Sequence, residues 1–329
     1  MPSPCSARTR RRLPSWLGLS LRGLFIGLIF YFIFASLWQN WGQLREHDFS
    51  LKWQPIVWSY VVFGAYLVNR ALIWHWMTLK FGCAIPLRSA FAAWFYSLLG
   101  KYVPGKVFLL AGRLHFYGQQ GRSPLRVSMC FMLETICVLL AAILVLLIAP
   151  LSADIPESSR YRAPAVVLVV AFLVAIRPKH LELLARPLLK LLKRPPLSLP
   201  VRYRDILSVV VVFTINWTLL GVGFFLFASA LYPMELPYLF YLAGSFALAS
   251  TIGILALFTP AGLGVREAVL VVALSAVMPQ GIAIVVTLAS RLWMTLGELA
   301  AVGAVALAVR VRRGTAPSAS SGEAADRGG

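Results

Sequence analysis

GKYVPGKVFLLAGR (Gly100–Arg113) and FTPAGLGVRE (Phe258–Glu267) interrupt a chain whose remaining pattern is nearly continuous apolar helix. Each stretch places a Pro-Gly or Pro-Ala-Gly break beside basic residues. Lipid tolerates a broken helix only where protein or a water-filled cavity satisfies the freed backbone N–H and C=O groups. A charge at membrane depth is also costly and usually marks a ligand site or a pathway. One break in each half of the chain therefore indicates a transport-type site.

The composition indicates an integral membrane protein. Of 329 residues, 59% are hydrophobic and 13% are charged, whereas soluble domains carry about 25% charged residues. The net charge of +19 lies mainly in short loops between apolar runs, and no basic patch is interleaved with stacking aromatics, so we expect no nucleic-acid partner. Four cysteines without a CxxC pair and four histidines without zinc spacing predict no metal and no cofactor.

The apolar runs predict an all-α integral membrane protein, because a helix needs about 20 mostly apolar residues to cross the hydrocarbon. We predict about eight transmembrane helices plus a re-entrant hairpin at Ser89–Tyr117, for which a surface amphipathic helix is the alternative. The predicted spans are Leu17–Trp38, Pro55–Leu79, Ser128–Ala149, Ala163–Ile176, Ile206–Leu231, Leu236–Phe258, Val265–Met278 and Ile282–Val309.

The distribution of basic residues predicts the domain organisation and the orientation. Residues 1–16 form a basic N-terminal arm, residues 17–310 a transmembrane domain, and residues 311–329 a disordered tail rich in Gly, Ala and Ser. With eight crossings and a re-entrant hairpin, 23 of the 31 basic residues fall on one face and four on the other. The positive-inside rule then places both termini in the cytoplasm and has both broken segments opening toward that face.

Charged residues within the predicted spans indicate internal ion pairs, because an unpaired charge at this depth costs several kcal/mol. These pairs either lock helices together or leave some arginines facing a cavity as ligands for an anion, and the sequence leaves both readings open. The residues concerned are Arg70, Glu134, Arg266, Glu267, Arg291 and Glu298.

The broken segments predict an anion site of a different physical kind. A half-helix that begins inside the membrane presents free N–H groups and a positive dipole end to a phosphate or carboxylate. Broken helices at corresponding positions of two halves point to a transporter site and suggest an inverted repeat, although the two halves share no convincing sequence identity. The breaks are at Pro104, Gly105, Pro260, Gly262 and Gly264, and the cations beside them are Lys101, Lys106, Arg113 and Arg266.

These residues together carry a family resemblance. The chain resembles the lysylphosphatidylglycerol synthase transmembrane family of flippase-like membrane proteins, over about residues 15–310. The resemblance is carried by LGKYVPGKVFLLAGR, then Glu134, then TPAGLGVRE. The resemblance implies a multi-span flippase-like domain with re-entrant segments and a lipid-handling role. The family motifs fall on Pro104, Gly105, Lys106, Gly112 and Arg113, and on Pro260, Gly262, Gly264 and Glu267.

The chain departs from the family pattern in three places. Glu134 is followed by Thr135 instead of arginine, and Val138 stands near where a further acid is expected. The chain also carries no soluble aminoacyl-transferase domain, so we expect no synthesis of aminoacylated lipid.

We therefore expect a lipid translocase of the bacterial inner membrane, with no ATP-binding loop and no catalytic constellation. Its partner is a phospholipid or a polyprenyl-phosphate-linked lipid, whose anionic headgroup binds Lys101, Lys106, Arg113, Arg266 and Arg291. Glu134, Glu267 and Glu298 pair with those cations when the site is empty.

Two other functions remain open from the sequence. The first is an integral-membrane glycosyl or acyl transferase that uses Glu46 and Asp48 as catalytic acids. The second is a membrane scaffold that binds partner proteins of cell-envelope biosynthesis.

Overall fold

Helices are the only regular elements in the residues that the structure, a computed structural model, describes: residue 38 and residues 51–102, 107–152, 158–175, 177, 203–256 and 262–314. Several predictions fall outside these ranges, namely the arm 1–16, the span Leu17–Trp38 except Trp38, and the residues Pro104, Gly105, Lys106 and Pro260. The α-helices are α1 (Trp53–Lys80), α2 (Leu87–Leu98), α3 (Val107–Gly118), α4 (Pro124–Ser152), α5 (Ser158–Ala175), α6 (Tyr203–Ser229), α7 (Leu239–Leu255), α8 (Val265–Leu274) and α9 (Gln280–Gly314), with short 3₁₀ turns at Leu99–Tyr102 and Leu236–Tyr238.

Within the described ranges, five of the helical segments are long and apolar enough to cross a membrane, so this part of the chain is all-helical and of the membrane type. They agree with five predicted spans to within a few residues and are Trp53–Lys80, Pro124–Ala149, Tyr203–Ser229, Leu236–Leu255 and Gln280–Val309. The predicted span Ala163–Ile176 corresponds to a shorter apolar helix, Ala163–Val174. Helix α9 continues through Gly314, four residues into the tail predicted to be disordered.

Helices α1 and α6 run antiparallel and define the two ends of the molecule. At one end, Lys80 Nζ donates to Asp205 Oδ1 at 2.6 Å; at the other, the Lys52 N–H donates to the Ala230 carbonyl at 3.2 Å. Arg126, near the start of α4, contacts the Gly82 carbonyl at the first end. We call this first end the basic end and the opposite one the far end.

Helices α2 and α3 form a hairpin, the first hairpin, at the predicted segment Ser89–Tyr117. It leaves and returns to the basic end, because α2 follows α1 there and α3 leads into α4. The rings of Tyr96 and Phe116 stack between its two helices, with centroids 5.8 Å apart. Helix α3 runs unbroken through Gly112, whose missing Cβ admits Ser97; a Cβ built there would lie 3.2 Å from the Ser97 Cβ.

Helices α7 and α8 form the second hairpin, which leaves and returns to the far end. The Tyr241 hydroxyl, near the start of α7, donates to the Ala273 carbonyl, near the end of α8, at 2.8 Å. At the closed tip, a Cβ on Gly262 would lie 2.7 Å from the Gly253 Cα. With ten residues, α8 is roughly 15 Å long, about half the hydrocarbon thickness.

The second hairpin agrees with the sequence prediction in part. The predicted span Leu236–Phe258 corresponds to the candidate span Leu236–Leu255, whereas α8 covers only Val265–Leu274 of the predicted span Val265–Met278. Gly262 and Gly264, just before α8, adopt φ of 71° and 84°. Such positive φ values cost glycine little and other residues much more.

Small residues allow the helices to pack closely around these hairpins. Gly221 of α6 faces Ala243 of α7 so tightly that a Cβ on Gly221 would lie 2.2 Å from the Ala243 Cβ. Close approach of backbones at small residues is the usual way in which helices associate in lipid, where a hydrophobic driving force between them is lacking.

We predict that Gly221→Ala lowers the thermal unfolding midpoint of the detergent-solubilised protein, because α6 and α7 must separate to admit the methyl group. Gly64→Ala is the matched control: Gly64 also lies inside a long helix, but nothing lies within 4 Å of its added Cβ. Because alanine loses less backbone entropy than glycine when a helix forms, Gly64→Ala leaves the free energy of unfolding unchanged or raises it by about 0.5–1 kcal/mol. Equal midpoints for the two variants would contradict the packing described here.

Candidate functional site

A cavity with a volume of about 260 Å³ lies where the tips of the two hairpins approach each other. A single water needs only about 10–15 Å³ on the same measure, so the cavity can hold a polar group larger than water. The first hairpin lines it with Leu98, Lys101 and Arg113, and the second with Gly253 and Arg266. The two broken segments singled out by the sequence therefore border one space.

The cavity lies near the middle of the long helices. Arg70 lines it ten residues before the end of α1, which places it roughly 15 Å from the basic end. Asn216 lines it 13 residues before the end of α6, roughly 20 Å from the far end. Because these helices are candidate membrane spans, the charges of the cavity lie at membrane depth.

Glu134 of α4 neutralises two arginines on one side of the cavity. Its Oε2 accepts a hydrogen bond from Arg113 Nη1, and its Oε1 lies 3.3 Å from Arg70 Nη2. All three side chains come from different helices, so this single carboxylate connects the first hairpin to α1 and α4. Glu134 and Arg113 are both 3% exposed, so water contributes little to stabilising either charge.

The guanidinium of Arg113 is held by groups besides Glu134. It lies over the ring of Trp74, 3.9 Å from the centroid, and 5.1 Å from that of Phe131. Its Nε also lies 3.4 Å from Ser97 Oγ. Cation–π contacts of this kind are worth about 2 kcal/mol when desolvated. These contacts fix the position of the Arg113 guanidinium at the edge of the cavity.

Helix α9 contacts both hairpins through charged residues. Lys101, in the turn after α2, donates to Glu298 Oε1. Arg291 Nη1 donates to Glu267 Oε1 of the second hairpin at 3.0 Å. Arg291 and Glu298 are seven residues apart, which places them on nearly the same face of α9.

Glu267 also stabilises the turn that starts α8. Its Oε2 accepts a hydrogen bond from the Gly264 backbone N–H at 2.7 Å, so the carboxylate caps the helix from its third residue. Oε1 of the same carboxylate binds Arg291 and lies 4.0 Å from Arg266 Nη1. One carboxylate thus serves the helix start and two cations.

Arg266 is buried with part of its guanidinium unsatisfied. The residue is 6% exposed and lines the cavity, and its charge lies over the Phe246 ring, 4.6 Å from the centroid. Its Nε and Nη2 have no hydrogen-bond partner within the described part of the chain. A buried donor without an acceptor costs about 1–3 kcal/mol.

The described charges around the cavity are more positive than negative. Five cations line it, while Glu134 and Glu298 line it and Glu267 lies beside it, which leaves an excess of two positive charges when all are ionised. The five cations are Arg70, Lys101, Arg113, Arg266 and Arg291. The arrangement can therefore hold an anion.

The structure brings together most of the residues singled out from the sequence. Lys101, Arg113, Arg266 and Arg291 line the cavity, and each lies within 4.0 Å of one of the three predicted carboxylates. Arg70, which the sequence left between a cavity role and a paired role, has both. Lys106, Pro104, Gly105 and Pro260 lie outside the described residues.

Sequence reasoning missed the aromatic and polar residues that position the cations. Trp74, Phe131 and Phe246 present ring faces to the arginines, and Asn216 lines the cavity while donating to the Tyr66 carbonyl at 3.1 Å. An aromatic residue in an apolar helix carries no signal that distinguishes such a role from ordinary packing. Asn216, as a polar residue in a long apolar run, did carry one.

Comparison with protein-family models and with curated proteins finds no match to this chain. The resemblance to the lysylphosphatidylglycerol synthase transmembrane family therefore rests on the motifs alone and stays a prediction.

We predict that Glu134→Gln destabilises the protein by about 3–5 kcal/mol, because it leaves the buried Arg113 and the nearby Arg70 without their carboxylate. The measurement is the thermal unfolding midpoint in detergent. Asp205→Asn is the control, since it makes the same carboxylate-to-amide change in a partly exposed pair with Lys80, worth about 0–1 kcal/mol. A larger effect at Asp205 than at Glu134 would refute the assignment.

Proposed function

We propose that this protein is a lipid translocase of the bacterial inner membrane that binds an anionic headgroup in the central cavity. The observation that carries the proposal is the excess of cations in a cavity at membrane depth, between the tips of two hairpins. Burying such charges is costly, and the cations in excess of the ion pairs that join the helices support a ligand site or pathway.

The ion pairs suggest how the site exists without a lipid. Glu134, Glu267 and Glu298 hold the cations in the empty cavity, as in the expectation from the sequence. An arriving phosphate competes with these carboxylates for the same guanidinium and ammonium groups. Translocation then requires that the headgroup be held more weakly than a permanent ligand, and competing carboxylates meet that requirement.

The relation between the hairpins supports an inverted repeat. The first hairpin comes from the basic end and the second from the far end, and their tips border one cavity. Opposed elements of this kind meeting near the midplane are the usual architecture of secondary transporters. In the proposed arrangement about eight spans, as the apolar runs predict, accompany the first hairpin, and two of them form the second hairpin.

The charge distribution supports a cytoplasmic basic end and cytoplasmic termini. Cations near this end outnumber those near the far end, in keeping with the positive-inside rule. At the basic end are Lys80, Arg88, Arg122, Arg126, Arg177 and Arg204, and near the far end are Lys52, Arg160 and Arg162.

We predict that the purified protein, reconstituted in liposomes, accelerates leaflet exchange of fluorescently labelled phosphatidylglycerol or polyprenyl phosphate. Arg266→Gln is expected to slow that exchange at least about tenfold, because it removes a cavity cation; tenfold corresponds to about 1.4 kcal/mol. Arg88→Gln makes the same change at an exposed residue near the start of α2 and is expected to leave the rate unchanged.

Two outcomes would contradict the translocase. Absence of exchange for every anionic lipid by correctly folded protein would favour the scaffold. A covalently modified lipid, formed when sugar or acyl donors are supplied, would favour the transferase. If Arg266→Gln and the unmodified chain exchange lipid at equal rates, the exchange does not take place through this cavity.

We predict that cysteines introduced at opposite ends are labelled from opposite sides of the membrane. In a Cys5→Ser background, an impermeant maleimide added outside spheroplasts should label Glu235→Cys and not Gln120→Cys until the membrane is opened. Both positions are exposed, and Cys83, Cys130 and Cys137 are buried. The reverse pattern would invert the proposed orientation.

A further inference from the structure

Arg266 leaves one whole edge of its guanidinium without a partner. The Nε–H and one Nη2–H of an arginine lie on the same edge and point in the same direction, as a two-pronged fork. In Arg266 these two atoms are the ones that have no hydrogen-bond partner in the described ranges, whereas Nη1 faces Glu267 at 4.0 Å. One edge of the side chain thus faces a carboxylate of the protein, while the other has no partner in a residue that lines the cavity.

The backbone around Arg266 holds this fork in place. Arg266 is the second residue of α8, and a Cβ on Gly253 would lie 3.1 Å from the Arg266 Cβ. The start of α8 is capped by Glu267, which fixes the first turn that carries Arg266. The position of the fork is therefore set by packing and by the cap.

The fork selects the shape of its ligand. Two parallel N–H donors match two oxygens of one carboxylate or one phosphate, and such bidentate contacts are among the strongest hydrogen bonds in proteins. Arg266 also approaches a carboxylate, but only through Nη1, which lies 4.0 Å from Glu267 Oε1, so the edge formed by Nε and Nη2 is left for an external acceptor.

The charge balance selects the class of ligand. The described groups carry an excess of two positive charges at membrane depth. A carboxylate or a phosphodiester brings one negative charge and leaves one positive charge uncompensated, at a cost of several kcal/mol. A phosphomonoester brings close to two negative charges near neutral pH, and a pyrophosphate brings at least two.

We propose that Arg266 binds, through Nε and Nη2, an oxoanion with two negative charges, of the phosphomonoester or pyrophosphate class. The proposal deepens the function given above and rests on it for the lipid nature of the ligand. The same chemistry can come from a lipid headgroup or from free phosphate, so the experiment separates these sources.

The test is equilibrium binding to the full-length protein in detergent at pH 8. The probes are phosphatidic acid, a phosphomonoester, and phosphatidylglycerol, a phosphodiester with identical acyl chains. We expect phosphatidic acid to bind at least about tenfold more tightly, which is about 1.4 kcal/mol. Equal affinity for the two lipids would overturn the proposal without any variant being needed.

Inorganic phosphate and pyrophosphate identify the source of the ligand. If they compete for the site only at concentrations far above that of phosphatidic acid, the ligand is a lipid headgroup. If they compete as well as the lipid does, the ligand is a free anion. Both results support a doubly charged oxoanion as the ligand. If neither phosphate nor pyrophosphate competes at any concentration, the result counts against the proposal.

Arg266→Lys tests the fork itself, because lysine keeps the positive charge and loses the two-pronged edge. We expect it to weaken binding of phosphatidic acid at least about tenfold, while Arg88→Lys, at an exposed residue, leaves affinity unchanged. Both variants are first compared by size-exclusion profile and unfolding midpoint. A folded Arg266→Lys variant that keeps full affinity would show that the two-pronged edge of Arg266 does not bind the oxoanion.

The outcomes separate this inference from the translocase. Leaflet exchange of phosphatidylglycerol without preference for phosphatidic acid would leave the translocase standing and overturn the doubly charged ligand. Tight binding of phosphatidic acid without leaflet exchange of any lipid would support the doubly charged ligand and overturn the translocase.

Discussion

A charge at membrane depth must meet an opposite charge or a ligand, and this constraint organises the structure around the cavity. Each of the three carboxylates joins elements that the chain keeps apart. Glu134 connects α4 to the first hairpin and α1, Glu298 connects α9 to the first hairpin, and Arg291 connects α9 to Glu267 of the second. The hairpins are therefore held by electrostatic contacts at their tips and by aromatic or small-residue packing along their sides.

The sequence predicted those parts of the fold that depend on local pattern. Long apolar runs predicted five helices to within a few residues, because span length follows directly from bilayer thickness. The charges of the cavity were also visible, since a charge such as Glu134 or Arg291 inside an apolar run needs an opposite charge or a ligand in lipid, and the sequence left open which of the two it meets. The motif beginning at Gly262 signalled a reversal of the chain, but not its depth, which depends on how α7 packs against α6 and α4.

The partner of each charge could not be predicted, because pairing depends on contacts between distant segments. Arg291 and Glu298 share a helix face, and each has its partner on a different hairpin. The length of α8 could not be predicted either. Val265–Met278 was predicted as a full span, whereas α8 ends at Leu274, next to the Ala273 carbonyl that accepts a hydrogen bond from the Tyr241 hydroxyl.

The spacing of Arg291 and Glu298 has a mechanical consequence. The two residues lie seven positions apart on one rigid rod, roughly 10 Å along its axis, and each holds the tip of a different hairpin. Sliding or rotating that rod would displace both attachment points together. The two tips, which enter from opposite ends of the molecule, are therefore mechanically coupled through one piece of backbone.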